Sequence, residues 1–147
     1  MLTTSFRITN NMADAEDIIQ EAFVKSFRQI RQLKESAAYG GWLKRIVVNL
    51  SLQKQRQKRH FAPLDNLESH TEETEGPWYQ DIPFPRIQAA IQALPNGSRE
   101  VLSLYLLEGY KHREIADWLG ISVSTSKSQY QYALRSLRQT LQQAHHE

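Results

Sequence analysis

The chain has 147 residues, of which 40% are hydrophobic and 23% charged, a composition typical of a soluble globular protein with one ordinary domain or two very small ones. It contains no cysteine, which excludes a disulfide framework and a thiolate metal site. No apolar run approaches the roughly 18 residues that a membrane span needs, and the N-terminus lacks the apolar core of a signal peptide. We therefore expect no direct membrane insertion and a cytoplasmic location.

The net charge of +2 is distributed unevenly. Residues 1–59 carry 11 Lys/Arg and five Asp/Glu, residues 60–84 carry six acids and no Lys or Arg, and residues 85–147 carry seven basic and five acidic groups. Two basic lobes on either side of an acidic connector suggest a polyanionic partner. Ordinary solvated helix faces are the alternative explanation.

The first predicted helix spans about residues 14–33, with Asp14 as its N-cap. Apolar residues recur along it at helical spacing, at Ala15, Ile19, Ala22, Phe23, Phe27 and Ile30. Asp17, Gln20 and Glu21 lie on one turn and form an acidic-amide face. DNA would repel this face, whereas a basic surface on a protein partner would complement it. A solvated face without a partner is the alternative.

The second predicted helix follows a break at "KES", has Ser36 as its cap and runs to about Arg59. It carries the stretch "YGGWLKRIVVNL", whose apolar residues from Trp42 onward have helical spacing. Gly40 and Gly41 would each cost about 1 kcal/mol in a helix interior, so we place them in the first turn or two, where fraying costs less. The last turns, "QKQRQKRH", show no apolar face and are predicted to be a basic surface extension.

The segment after this helix contains three prolines and six acids between residues 60 and 84 and shows no sustained periodicity. This composition predicts a flexible acidic linker over residues 61–84. The predicted domains on either side of it are residues 1–60 and 85–147.

The second lobe is predicted to begin with Pro85 in the first turn of a short helix that Pro95 stops. "NGS" is a predicted turn with Ser98 as the N-cap of the next helix, which Gly109 ends. A further short helix ends at Gly120, and Ser122 is the predicted cap of a long final helix. The apolar face of that final helix comprises Ser126, Tyr130, Ala133, Leu134, Leu137 and Leu141.

A short helix, a tight turn with glycine and a second helix form the helix-turn-helix pattern. Ala116 is small, so the two helices can approach closely, and the face opposite the core remains available to DNA. The polar side chains predicted on that face are Ser124, Thr125, Lys127, Ser128, Gln131 and Arg135, with Lys111 and Arg113 placed for backbone phosphates. A generic antiparallel helix pair with a polar surface is the alternative.

These segments together resemble the bacterial extracytoplasmic-function sigma factors of RNA polymerase, which belong to the sigma-70 family. "RITNNMADAEDIIQEAFVKSFRQI" is similar to region 2.2 with the end of 2.1, and "YGGWLKRIVVNLSLQKQRQKR" to regions 2.3 and 2.4. "IQALPNGSREVLSLYLLEGYKHREIADWLGISVSTSKSQYQYALRSLRQTL" is similar to region 4. The resemblance implies an all-α fold in which an N-terminally shortened region 2 domain and a region 4 helix-turn-helix domain are joined by the flexible acidic linker.

The resemblance also implies a function and its partners. Such a protein binds core RNA polymerase, at the β′ clamp helices and the β flap region, and directs it to promoter DNA. It implies polymerase contacts by Asp17, Gln20, Glu21 and Phe27. It implies −10 element contacts by Trp42, Arg45, Asn49 and Arg56. It implies −35 element contacts by Lys111, Arg113, Ser124, Thr125, Lys127, Ser128, Gln131 and Arg135. An anti-sigma factor is a further implied partner.

The chain departs from the family pattern at two places. Family members carry a further helix before "SFRITNN", so we expect the core of the first lobe to be incomplete. Gln129 and Tyr132 stand where many members have basic residues, which implies weaker phosphate anchoring.

Neither a nucleophile–base pair nor a glycine-rich phosphate loop is apparent, so neither an enzyme, a cofactor nor a metal is expected. A stand-alone helix-turn-helix regulator and a helical interaction protein without a DNA role are the other hypotheses.

Overall fold

The computed structural model describes residues 1–59 and 81–145. Within these residues every regular element is a helix and no strand occurs, so the predicted all-α class is confirmed. The chain divides into two compact units, Met1–Leu64 and Asp65–Glu147, and each is described by itself below. The predicted linker over 61–84 lies outside the described residues except at its end, where Phe84 begins a helix.

Three helices form the first unit: α1 (Leu2–Thr9), α2 (Met12–Arg28) and α3 (Tyr39–Arg59). Two single 3₁₀ turns, Ile30–Gln32 and Ser36–Ala38, connect α2 to α3. The core between α2 and α3 consists of Ile18, Ala22, Leu43, Ile46, Val47 and Leu50. These apolar residues recur every three or four positions on each helix, so burying them against one another accounts for the pairing of α2 with α3.

Helix α1 was not predicted from the sequence, yet it packs on both α2 and α3. Its buried side chains are Thr4, Ser5, Ile8 and Thr9, of which only Ile8 is apolar. A face made mostly of small hydroxyl residues has no hydrophobic periodicity, so the pattern gave no sign of a helix. Helix α1 contains most of "SFRITNN" itself, so it is not the further helix that family members carry before this segment, and the incomplete core of the first lobe stays a prediction.

The start of α2 differs from the prediction. Asn11, not Asp14, is the N-cap, and its side-chain oxygen accepts a hydrogen bond of 3.0 Å from the main-chain N–H of Asp14. Asp14 lies in the first turn and forms an ion pair with Lys58 of α3. Asn and Asp are equally good caps, so composition alone does not decide between the two positions. The helix ends at Arg28, before the predicted end at residue 33.

The start of α3 agrees with the position predicted for the glycine pair. Gly40 and Gly41 are the second and third residues of the helix, and a Cβ atom on either would meet no atom within 4 Å. Ser36 is not the cap of this helix, because it begins the preceding 3₁₀ turn. The last turns are not purely a surface extension either: the buried Gln55 side chain donates a hydrogen bond to the carbonyl oxygen of Ile8 in α1.

The second unit contains α4 (Phe84–Gln92), α5 (Asn96–Leu102), α6 (His112–Leu119) and α7 (Val123–His145), and a short π-helical segment, Ser103–Leu107, continues α5. Its core is built from Ala90, Ile91, Leu94, Leu102, Ala133, Leu137 and Leu141. Ser98 is not an N-cap, because α5 begins at Asn96 directly after Pro95. The Ser98 hydroxyl instead donates to the carbonyl oxygen of Pro95 from within the first turn.

The turn between α6 and α7 has the predicted chemistry. Gly120 ends α6 with φ of 67°, a left-handed conformation that glycine adopts without the penalty of a side chain. Two residues later the Ser122 hydroxyl accepts a hydrogen bond of 3.0 Å from the main-chain N–H of Thr125, which caps α7. Short α6, this turn and long α7 together form a helix-turn-helix.

Candidate nucleic-acid and partner interfaces

The outer face of α2 combines acidic, amide and apolar side chains. The predicted residues Asp17, Gln20, Glu21 and Phe27 are all exposed. Because they are spaced by three, one and six positions, they fall on the side of the helix opposite Ala15 and Ala22, which are fully buried. The structure therefore places these four residues on one accessible surface.

Three apolar residues of α2 belong to this surface or border it, although Phe23 and Phe27 follow the helical spacing of the buried residues. Phe27 is 65% exposed, Val24 is 50% exposed and Phe23 is 41% exposed. The core position in the last turns of the helix is taken instead by Ser26, whose hydroxyl donates to the carbonyl oxygen of Phe23 and lies 3.0 Å from the Tyr39 hydroxyl. Exposed aromatic and aliphatic side chains next to carboxylates suit a partner that is both apolar and basic.

A strip of polar and basic side chains runs along α3. Trp42, Arg45, Asn49 and Arg56 are spaced by three, four and seven residues and therefore share one side of the helix. The last three are exposed, while the Trp42 ring is half-buried against the core and lies 6.0 Å from the Tyr39 ring. The exposed Gln53 falls on the same line, four residues after Asn49, and was missed because glutamine at a surface position carries no distinguishing signal.

The strip can contact nucleic acid in two ways. The guanidinium groups of Arg45 and Arg56 are suited to phosphates, and the Asn49 amide both donates and accepts hydrogen bonds. The Trp42 ring offers a flat apolar surface on which an unstacked base can lie. Lys58, by contrast, lies beyond the strip and is engaged with Asp14.

The polar face of α7 contains most of the residues predicted to contact duplex DNA. Ser124, Ser128, Gln131 and Arg135 follow one another at intervals of four, three and four residues, so they form one line along the helix. Lys127 is exposed beside this line. The Ser128 hydroxyl donates to the Ser124 carbonyl oxygen at 2.9 Å, which fixes its orientation.

The remaining predicted residues of this interface differ in their surroundings. The Thr125 hydroxyl accepts a hydrogen bond of 2.8 Å from Ser122 and thus belongs to the cap of α7. Lys111 immediately precedes α6, and its main-chain N–H donates to the carboxylate of Glu114. Arg113 is exposed on α6. Lys111 and Arg113 therefore lie at the start of α6, and Thr125 lies in the first turn of α7, outside the line of Ser124, Ser128, Gln131 and Arg135.

His112 is a residue that the sequence analysis missed. Its Nδ1 lies 2.8 Å from the Ser126 hydroxyl oxygen, and its ring stacks on Tyr105 with 4.1 Å between centroids. Desolvation by burial, and secondarily the positive charge of Lys127, lowers the pKa of His112 below its ordinary value of 6.5. The contact links α6 to the first turns of α7, and neither periodicity nor a motif reveals it in the sequence.

Residues 1–59 and 81–145 contain no group of three or more His, Asp or Glu side chains that could hold a metal ion. None of the helices formed by those residues is long and apolar enough to cross a membrane.

Known protein families match both units. The family described as Sigma-70 region 2 matches residues 2–61, and the family described as Sigma-70, region 4 matches residues 85–137. The first match contains α1, α2 and α3, and the second contains the helix-turn-helix. The two regions therefore occur in one chain in this order and account for most of its residues.

Individual relatives agree with the family matches. The chain is 32% identical to the probable RNA polymerase sigma factor RfaY of Xanthomonas campestris pv. campestris over 92% of this chain and 36% of that protein. It is 28% identical to the ECF RNA polymerase sigma factor SigE of Mycolicibacterium smegmatis, over 93% of this chain and 55% of that protein. For the ECF RNA polymerase sigma factor SigW of Bacillus subtilis the identity is 29%, over 92% of this chain and 80% of that protein.

The chain thus spans about a third of the length of the Xanthomonas relative and about half of the Mycolicibacterium one. Among solved structures, the sigma factor RpoE of Bartonella quintana, crystallised with the anti-sigma factor NepR, is similar with a TM-score of 0.64. That similarity covers 96% of this chain and 89% of RpoE at 18% sequence identity, and it shows a shared fold.

Proposed function

The chain belongs to the sigma-70 family, in its extracytoplasmic-function group, and from this membership we propose that it is a promoter-specificity subunit of RNA polymerase. It binds the core enzyme in the cytoplasm and directs it to promoters whose −10 and −35 elements it reads. The polymerase carries out the phosphodiester chemistry, so this chain needs no catalytic residue. The proposed domains are residues 1–60 and 85–147, joined by a linker over 61–84.

The observation that carries this proposal is the division of surfaces within the first unit. One helix, α2, exposes carboxylates and apolar side chains, while the next, α3, exposes arginines and an asparagine. A surface for DNA alone would not combine the two, because carboxylates repel phosphates. A protein that must hold a protein partner and DNA at the same time requires both.

We assign the outer face of α2 to the polymerase. Asp17, Gln20 and Glu21 supply the polar complement to a basic surface on the β′ clamp helices, and Phe27 supplies the apolar contact. The exposure of Phe27 together with Phe23 and Val24 on the same helix supports this role, because contiguous apolar side chains in solvent mark protein-protein interaction sites. Buried aromatic side chains are also the residues that most often dominate binding energy at interfaces.

We assign the strip on α3 to the −10 element. Single-stranded bases are held by stacking on aromatic rings and by hydrogen bonds to their edges, while basic groups hold the backbone. The Trp42 ring can stack on a base, and the Asn49 amide can form hydrogen bonds with a base edge. Arg45 and Arg56 can hold the phosphate backbone. Their common side of α3 supports the assignment, because one strand can contact all of them.

We assign the helix-turn-helix to the −35 element. Lys111, Arg113 and Arg135 contact backbone phosphates, and Lys127 and Gln131 reach base edges in the major groove. Ser124, Thr125 and Ser128 present hydroxyl groups near the start of α7, the part of a recognition helix that enters the groove. Two separate reading units joined in one chain raise the effective concentration of the second contact once the first is made.

The β flap region of the polymerase and an anti-sigma factor are further proposed partners. Both follow from membership of the extracytoplasmic-function group. An anti-sigma factor that blocks polymerase binding would have to cover the outer face of α2.

Charge reversal on α2 tests the proposal. We expect the full chain to co-purify with core RNA polymerase and the variant Asp17→Lys with Glu21→Lys to bind at least tenfold more weakly, since like charges then face the partner. Glu35→Lys is the matched control, because it is an exposed charge reversal in the same unit but outside α2. If the chain binds duplex DNA tightly without polymerase, and the double charge reversal on α2 leaves that affinity unchanged, the stand-alone regulator is favoured. Absence of any salt-dependent DNA binding, even with polymerase, would favour an interaction protein.

A further inference from the structure

The His112 side chain contacts two other helical segments of the second unit. It is the first residue of α6, its ring stacks on Tyr105 of the π-helical segment with an angle of 15° between the planes, and the Tyr130 ring of α7 lies edge-on at 5.8 Å. Its Nδ1 is 2.8 Å from the hydroxyl oxygen of Ser126, also on α7. One side chain therefore joins the start of α6 and the segment before it to α7.

Ser126 occupies a notable position on α7. It is completely buried, whereas its neighbours in sequence, Thr125 and Lys127, are exposed. A buried hydroxyl without a partner is unfavourable, so packing alone would favour an apolar residue at this position. The hydrogen bond with His112 satisfies the hydroxyl and, unlike apolar contact, depends on direction.

We propose that His112 is a positioning residue for duplex recognition: through Ser126 it fixes the rotation of α7 about its own axis. That rotation sets the direction in which Lys127 and Gln131 leave the helix. His112 itself does not contact DNA. This inference rests on the proposed role of α7 as the reader of the −35 element.

Two substitutions of His112 separate the hydrogen bond from the stacking. His112→Asn retains a polar atom two bonds from Cβ, where Nδ1 lies, but removes the ring. His112→Phe retains an aromatic ring against Tyr105 but removes the hydrogen bond. If the hydrogen bond positions α7, the asparagine variant keeps recognition better than the phenylalanine variant, and Ser126→Ala behaves like the latter. If the ring merely fills space, the order of the two His112 variants is reversed.

The experiment uses the full chain in complex with core RNA polymerase and a pool of randomised DNA duplexes as the probe. The base preferences of the recovered duplexes are measured separately at the −35 and −10 positions. Loss of one hydrogen bond predicts that His112→Phe and Ser126→Ala weaken the −35 preference about five- to tenfold and leave the −10 preference unchanged. His112→Asn retains most of the −35 preference.

Lys127→Ala distinguishes failure of this inference from failure of the proposed function. A lower −35 preference in Lys127→Ala together with a wild-type preference in His112→Phe would overturn the positioning role alone. An asparagine variant as impaired as the phenylalanine variant would also overturn it. An unchanged −35 preference in Lys127→Ala would remove α7 as the reader and the positioning role with it. Circular dichroism of each variant confirms that the helices are retained, and Ser126→Ala provides a test that leaves the His112 ring intact.

Discussion

The hydroxyl oxygens of Ser5 and Ser51 lie 2.8 Å apart and join α1 to α3 across 46 positions of sequence. The Ser51 hydroxyl already donates to the carbonyl oxygen of Val47 at 2.7 Å, so in this contact Ser5 is the donor. Both side chains are completely buried. At this contact α1 and α3 are therefore joined by a chain of hydrogen bonds, in which Ser5 donates to Ser51 and Ser51 donates to the Val47 carbonyl oxygen.

Removing this donor should loosen the contact between α1 and α3. Ser5→Ala is expected to reduce local stability by about 1 kcal/mol, the usual net value of a buried hydrogen bond. Hydrogen exchange of main-chain amides in α3, measured on the full chain, reports the loss. Thr3→Ala, a hydroxyl deletion at an exposed position of α1, is the control and should change exchange little. Equal effects of the two variants on hydrogen exchange would show that this hydrogen bond does not stabilise the contact between α1 and α3.

Phe27 should matter for polymerase binding and not for folding. Because the ring is 65% exposed, Phe27→Ala is expected to leave thermal unfolding unchanged and to weaken core polymerase binding about tenfold. Phe84 is 62% exposed in the second unit and provides a matched control. Fluorescence titration of labelled chain with core polymerase measures both variants. An effect of Phe84→Ala as large as that of Phe27→Ala would contradict the assignment of the α2 face.

Asn49 should act at promoter opening. Asn49→Ala is expected to lower the rate of open-complex formation about tenfold, the effect of one lost base contact of about 1–3 kcal/mol, while polymerase binding stays as in wild type. Permanganate footprinting reports the opened bases, and the binding titration reports the complex. The exposed amide Gln32 lies outside α3, so Gln32→Ala is the control. Equal losses in binding and opening would count against the role of Asn49.

Substitution by alanine should raise stability at Gly40 and Gly41 and lower it at Gly120. Gly40→Ala and Gly41→Ala introduce a Cβ into open space within a helix, so each should stabilise α3 by up to about 1 kcal/mol. Gly120→Ala places a Cβ on a residue with φ of 67° and should destabilise the second unit by about 1 kcal/mol. Hydrogen exchange in α3 and in α7 measures the two effects.

The glycine pair also bears on promoter opening. If Gly40 and Gly41 leave room for a DNA strand beside Trp42, the double change to leucine should slow promoter opening, although a Cβ atom at either position meets no neighbouring atom of the fold within 4 Å. Unaltered opening in that variant would mean that the glycines only mark a loose helix start.

The second unit should lose stability as the pH falls. Burial, and then Lys127, lowers the pKa of His112 below 6.5, so between the folded pKa and about pH 6.5 the unfolded chain binds more protons than the folded chain. The stability gained from the neutral ring is complete above pH 6.5 and is lost as the pH falls through the folded pKa. Tyr105 and Tyr130 pack against the ring, and Lys127 of α7 acts on it through its charge. Lys111, Arg113 and Glu114 are the charged residues next to it on its own segment.

Two measurements check this sign. An NMR titration of the His112 ring should give a pKa below 6.5, and the preference for −35 bases should fall between pH 7 and pH 5 in wild type but less in His112→Asn. A ring pKa at or above 6.5, or a preference that rises on acidification, would contradict the prediction.

Much of this fold could be predicted wherever a strong hydrophobic pattern coincides with turn chemistry. The helix-turn-helix is the best case, because Gly120, Ser122 and the apolar face of α7 each point to the same boundaries. Helix α1 is the opposite case: apart from Ile8, its buried face is made of Thr4, Ser5 and Thr9, residues that are common on surfaces. Ser5 pairs with Ser51 of α3 and the Ile8 carbonyl oxygen with Gln55, and pairing across more than 40 positions of sequence is not visible in a local pattern.

The candidate surfaces could likewise be predicted only in part. Helical spacing correctly grouped Asp17 with Glu21, because spacing determines which side chains share a side of a helix. The grouping of Trp42 with Asn49 came instead from the family resemblance. Helical spacing did not distinguish Phe23 and Phe27 from core residues, since hydrophobicity alone does not say which apolar side chains are left in solvent. The His112–Ser126 contact was out of reach for a further reason: both residues are common in many settings, and only the packing of α6 on α7 brings them together.

The central claim is tested most directly by transcription in vitro from fragmented genomic DNA with core RNA polymerase, with and without the full chain, followed by mapping of the RNA 5′ ends. We expect a set of start sites that appears only with the chain and shares two sequence elements at fixed spacing upstream. The Asp17→Lys with Glu21→Lys variant should abolish these starts, and Lys127→Ala should reduce use of those with the strongest upstream element. Start sites that are identical with and without the chain would contradict the proposed function.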